Sequence, residues 1–123
     1  MAVGDLRTVV NLTDVVWTPI NQPGLPDDKV YWHVISYDQE TGQGSYYYKM
    51  DPGARSNSHR HNGPEEWFMI EGDLTDHDGY EYRQGDFVSL DGGSSHHSYT
   101  KNGCIVIVTH RGVVDNISDQ DLG

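Results

Sequence analysis

Residues 59–72, HRHNGPEEWFMIEG, set His59 and His61 one residue apart, ahead of a Gly63-Pro64 turn, a Glu65-Glu66 pair and a short apolar run closed by Gly72. Alternate side chains of an extended strand share a face, so His59 and His61 point together and Arg60 points away. Glu65 has the parity of Trp67 and Met69. The turn leaves its parity with the histidines open, so Glu65 and Glu66 are both candidates. A second cluster, GDFVSLDGGSSHHSYT at 85–100, holds His96 and His97. As strand neighbours, only one of these can face the point that His59 and His61 face. Three imidazoles with one carboxylate suit a borderline divalent ion such as Fe, Mn, Ni, Zn or Cu. At six-coordination such a set leaves two adjacent positions for a chelating ligand, or for ligand and O₂. A closed structural site leaves none.

The chain around these clusters reads as strands. No helical periodicity of useful length occurs, and 14 Gly and 5 Pro punctuate the sequence. Between them lie runs rich in Val, Ile, Tyr, Thr and Trp, which favour strands. Strands are expected near Val30–Tyr37, Ser45–Met50, Glu66–Ile70, Leu74–His77, Tyr80–Tyr82, Asp86–Leu90, His96–Thr100 and Cys104–Thr109. Asp78-Gly79 and Asn102-Gly103 are two-residue turn signals, and QETGQG is a looser hairpin. Many short strands with close turns imply an all-β antiparallel barrel or sandwich. Two hairpins between His61 and His96 give enough chain for the clusters to converge. Residues 1–29 read as an N-terminal arm with a Pro-rich loop, 30–112 as the barrel, and 113–123 as a weakly ordered tail, with no repeat and no second domain.

Bulk properties exclude several classes. The 123 residues suit one domain, and 19 acidic against 8 basic side chains give a formal charge of −11. That balance argues against nucleic acid and anionic membranes, both of which are bound through Lys/Arg excess. The single Cys104 cannot form an internal disulfide, and as the start of the run CIVIV it reads as a small buried hydrophobe. No stretch has the apolar length of a membrane span, and the first residues do not resemble a signal peptide, so a cytoplasmic location is expected. The apolar arm residues Val9, Val10, Leu12, Val15, Val16 and Trp17, together with exposed sheet edges, point to a homodimer.

The two clusters resemble the paired motifs of the cupin superfamily. Its first motif is Gly, five residues, His-x-His, three or four residues, Glu, six residues, Gly; Gly53, His59, His61, Glu65 and Gly72 meet each spacing. Its second is Gly, five residues, Pro-x-Gly, two residues, His, three residues, Asn; Gly85, Gly93 and His96 match, with Asp91 and Thr100 in place of the Pro and Asn. Those two departures fall at turn and packing positions. The resemblance implies an antiparallel jelly-roll barrel and a metal held by His59, His61, His96 and Glu65, preferring Glu65 over Glu66 and His96 over His97. The finer wording is similar to acetylacetone-type dioxygenases and to the zinc-binding cupin domain of anti-sigma factors. It implies a mononuclear non-haem iron dioxygenase acting on a small diketone or hydroxyketone, with Zn²⁺, Mn²⁺ or Ni²⁺ as other metals. A non-catalytic metal or ligand sensor, or a redox-neutral isomerase or lyase, are the alternatives.

Remaining candidates carry less chemistry. Glu65 or Tyr48 is the expected base for enolate formation. Tyr46 shares the face of Tyr48, and Trp67 and Met69 are expected to form an apolar pocket wall. His33, His77, His97 and His110 read as structural or exposed, and Arg83 and Arg111 as surface cations.

Overall fold

In the computed structural model residues 3–22 and 29–123 are described; part of the expected Pro-rich loop, 23–28, lies outside them. Eleven strands follow in order among these residues: β1 (Thr18–Pro19), β2 (Val30–Tyr37), β3 (Gln43–Met50), β4 (His59–His61), β5 (Glu65–Asp76), β6 (Glu81–Arg83), β7 (Phe87–Leu90), β8 (Ser95–His96), β9 (Ser98–Tyr99), β10 (Cys104–Arg111) and β11 (Val114–Asn116). The larger sheet runs β1-β2-β3-β10-β5-β6, with β7 and β9 also paired to β5; the smaller runs β11-β4-β8. All pairs are antiparallel. This is the expected all-β antiparallel barrel. Among the described residues no helix is long and apolar enough to cross a membrane.

Period-two alternation builds the interior. Along β10, Cys104, Val106 and Val108 are buried while Ile105 and Ile107 are only partly so. Their cross-strand partners Met50, Tyr48 and Tyr46 on β3, and Gly72, Met69 and Trp67 on β5, complete the inner face. Met50, Met69 and Val30 are almost wholly enclosed, each contributing about 1.5–3 kcal/mol of apolar burial.

Four local departures from the sequence expectation have physical causes. The two strands expected either side of Gly72 are one strand, β5. Gly72 takes a left-handed φ of +96° beside a register shift between Ile105 and Val106 on β10, so the glycine marks a bulge and not a break. A Cβ there would collide with the Gly103 carbonyl oxygen. The Asp78-Gly79 turn closes the β5–β6 hairpin as expected, but Asn102-Gly103 closes none: β9 pairs with β5, and β10 with β3 and β5. The Asp73 carboxylate instead holds that turn, accepting the N–H groups of Lys101 (2.8 Å) and Asn102 (3.1 Å). The expected strand at 96–100 is two short strands in different sheets, because β8 joins β4 and β9 joins β5. Finally, the segment expected to be weakly ordered contains β11, which pairs along the whole of β4.

The arm lies against its own barrel. Tyr47 donates to the Val10 carbonyl (3.0 Å), Thr18–Pro19 pairs with β2, and the Ile20 N–H donates to Val30 O (2.8 Å).

Candidate metal centre

The small sheet positions the histidines. In its register His59 on β4 lies opposite His96 on β8, while His61 is paired to Val114 on β11. His59, His61 and His96 converge with ring centroids 4.6–5.1 Å apart. One nitrogen from each lies within 4.8 Å of the others.

The second ring nitrogen of each is anchored. His59 Nδ1 is 2.9 Å from the Asn57 carbonyl, His61 Nδ1 is 2.9 Å from Ser94 Oγ, and His96 Nδ1 is 3.1 Å from Asp76 Oδ1. A carbonyl and a carboxylate only accept, so His59 and His96 carry their proton on Nδ1 and present a bare Nε2 lone pair to the centre. The Asp76 carboxylate is itself fixed by Ser98 Oγ (2.5 Å) and the Tyr82 hydroxyl (2.6 Å). Burial works to raise its pKa, but His96, Ser98 and Tyr82 together hold it below the usual carboxylate value. The Tyr82 phenol is pushed up by burial and by Asp76.

Glu65 comes up from β5 on the inner face, buried along with Trp67 and Met69. Its Oε2 is 3.0 Å from His61 Nε2, yet that nitrogen is buried with no aligned hydrogen bond. The carboxylate and the imidazole nitrogen thus face one another at the edge of the imidazole group, a pairing that either a proton on Nε2 or a cation beside the two satisfies. Burial raises the pKa of Glu65, but the three imidazoles outweigh it and keep the carboxyl ionised. His59 is lowered to about 4, first by burial and then by the neighbouring His96, so it is neutral at physiological pH. A neutral His59 and an ionised Glu65 are in the donor forms that a divalent metal needs. The residues fit such an ion: the three histidines supply the group, and Glu65, which contacts His61 from outside it, supplies a charge.

A cavity of about 160 Å³ opens from this group into the barrel. Trp67, Leu74, Val106 and Val108 form apolar walls, with Tyr46 and Tyr48 facing in from β3 and Ile20 and Gln22 from the arm. Burial, with Glu65 nearby, raises the pKa of both phenols, so they remain hydrogen-bond donors. Among the described residues neither hydroxyl has a hydrogen-bond partner.

Other sequence candidates stand apart. His97 packs its ring against His77 at 5.3 Å, and neither lines the cavity. Glu66 faces Arg111 at 3.8 Å on the opposite side of β5 from Glu65. Arg83 and Arg111 do not reach the cavity either. His33 accepts from the Val16 N–H, and His110 lies against Gly112 O and the Tyr46 ring. Met69 sits fully buried in the core. Burial pushes the Cys104 thiol up to about 12, as suits an inert core residue. Asp76, Ser94, Ser98 and Gln22 are the site residues that the motif spacing does not signal. For Asp76 a signal exists: it shares the inward parity of Leu74, and an acid on an apolar inward face needs a partner.

A two-sheet antiparallel barrel with three imidazoles converging from its smaller sheet is a cupin with a candidate three-histidine metal centre. The chain belongs to the ChrR cupin-like domain family, whose sequence pattern matches residues 5–114. No curated protein sequence matches it. Among solved structures it resembles an acetylacetone dioxygenase from Acinetobacter johnsonii, with TM-score 0.79 and 20% identity over 93% of this chain and 80% of that one. The polyketide cyclase RemF from Streptomyces resistomycificus gives TM-score 0.69 and 21% identity over 92% and 88%. The anti-sigma factor ChrR in complex with SigE, from Rhodobacter sphaeroides, gives 0.64 and 19% over 81% and 51%, so this chain spans about half of that one.

Proposed function

We propose that the protein is a metal-dependent dioxygenase acting on a small carbonyl compound, a diketone or hydroxyketone, with iron as the metal. One observation carries the reading: an ionised Glu65 and two unpartnered phenols face a largely apolar cavity at the three-imidazole group. A divalent ion held by His59, His61 and His96 would supply Lewis acidity toward a chelating pair of oxygens and, as iron, redox chemistry toward O₂. The protein's own residues do the rest. Glu65 accepts the acidic C–H proton that lies between two activated carbonyl groups. Tyr48, kept neutral by burial, donates a hydrogen bond to the oxygen on which negative charge develops. Sequence alone left Glu65 and Tyr48 as alternative bases; the raised phenol gives Tyr48 the donor role and Glu65 the proton. Trp67, Leu74, Val106 and Val108 exclude water.

The match to the ChrR cupin-like family favours a second reading, a metal or ligand sensor without turnover. Oxygen uptake by the iron-loaded protein with a panel of diketones and hydroxyketones separates the two. Uptake that requires both a carbonyl compound and Glu65 supports the enzyme. Zinc co-purifying at full occupancy, with no uptake and no anaerobic absorption band on adding any of the compounds to the iron form, supports the sensor or a redox-neutral reaction.

A further inference from the structure

An anchored segment of the arm forms part of the cavity wall. Among the described residues of the arm, Ile20 and Gln22 line the cavity. Backbone pairing anchors this segment on one side, through Thr18–Pro19 on β2 and the Ile20 N–H to Val30 O bond of 2.8 Å. On the other side Gln22 is the clasp. Its side chain is buried at 7% exposure. Nε2 donates to the Arg55 carbonyl (3.1 Å) and Oε1 accepts the Asn57 N–H (3.0 Å). Asn57 in turn holds His59 through its own carbonyl. The segment is therefore tied at both ends to fixed backbone, and a ligand cannot push it aside without breaking buried hydrogen bonds. The cavity it lines holds about 160 Å³, roughly half the lower limit of pockets that take drug-sized ligands.

We infer that Ile20 and Gln22 are specificity-determining residues that confine the site to acyclic or single small-ring carbonyl compounds, and that they exclude polycyclic or diaryl ligands. The substrate class named here rests on the carbonyl reading above; the size limit itself does not.

Cobalt(II)-loaded protein tests both, because its visible bands report ligand binding without turnover. Two size ladders are titrated: imidazole against 4-phenylimidazole, and pentane-2,4-dione against 1,3-diphenylpropane-1,3-dione. Wild type is expected to bind the small member of each pair at least tenfold more tightly. Ile20→Ala, and separately Gln22→Ala, are expected to narrow both gaps by about tenfold, with circular dichroism unchanged in both and cobalt content unchanged in Ile20→Ala. Ile20→Ala leaves the Gln22 clasp intact and serves if the Gln22 variant folds poorly. Equal binding of imidazole and 4-phenylimidazole by wild type, or size ratios unmoved in both variants, would overturn the inference. Azoles sorted by size while neither dione binds would sustain the size limit and overturn the carbonyl class.

Discussion

Each imidazole of the centre is only as well placed as the group behind it. Asp76 fixes the tautomer of His96 through one oxygen and is held by Tyr82 through the other. Asp76→Ala is expected to weaken metal affinity about 10–100-fold, the usual range for a lost carboxylate behind a ligating histidine. Asp76→Asn should weaken it less, because an amide oxygen still accepts from Nδ1. Competition against a chelator of known affinity measures both. Glu65→Ala should cost less affinity than loss of any one histidine, and Glu66→Ala, on the opposite side of the strand, least. The burial of His59 also fixes a pH response of the metal-free protein. Its folded pKa of about 4 lies below the usual imidazole value of 6.5, so as pH falls through that window the unfolded chain takes up a proton that the folded one refuses. Stability is therefore full above about pH 6.5 and declines toward pH 4. Thermal melts of metal-free protein across this range check it, and His59→Gln should flatten the slope.

At the scale of elements, the site depends on a strand that the sequence does not advertise. β11 pairs residue for residue with β4, and just beyond it Asp119 accepts from Ser58 and Arg55, which precede the His59 strand. Removal of residues 113–123 is expected to reduce metal affinity more than Asp119→Ala does, and calorimetric metal titration of the two proteins decides it. Asp73→Ala, which frees the 100–103 turn, should cost about 1–2 kcal/mol of stability through lost backbone hydrogen bonds, read by urea denaturation. The barrel was legible where period-two alternation is clean, as in Val30–Tyr37 and Cys104–Arg111. It was illegible where one residue has two structural meanings. Gly72 reads as a break but lies within β5 beside a bulge, and Asn102-Gly103 reads as a hairpin but is held by the distant Asp73. The 114–116 strand has three residues and includes Asp115 and Asn116, both poor strand formers, so its partner β4 determines it more than its own propensity does. The convergence of His59, His61 and His96 was legible in motif spacing, whereas Asp76, Ser94 and Gln22 become visible only with the three-dimensional pairings.

At the scale of the whole molecule, an apolar row remains on the outer face of the larger sheet. Tyr47, Ile107, Phe68 and Phe87 lie side by side across four strands, and Phe87 is 66% exposed. The arm adds Val3, Leu6, Val9 and Val16, all exposed. Aggregation-free behaviour of such a surface calls for a partner, and a second copy is the one we propose. Light scattering at micromolar concentration is expected to give a dimer, and Phe87→Glu a monomer with unchanged metal content. A monomeric wild type would remove this proposal and leave the site untouched.

The most direct test of the three-histidine centre is the metal content of purified protein, measured by mass spectrometry for the wild type, His96→Ala and His97→Ala. His96 faces His59 across the small sheet while His97 packs on His77 outside it. About one ion per chain is expected in wild type and His97→Ala, and close to none in His96→Ala. Retention in His96→Ala with loss in His97→Ala, or a wild type that holds no ion after loading with any divalent metal, would contradict the account.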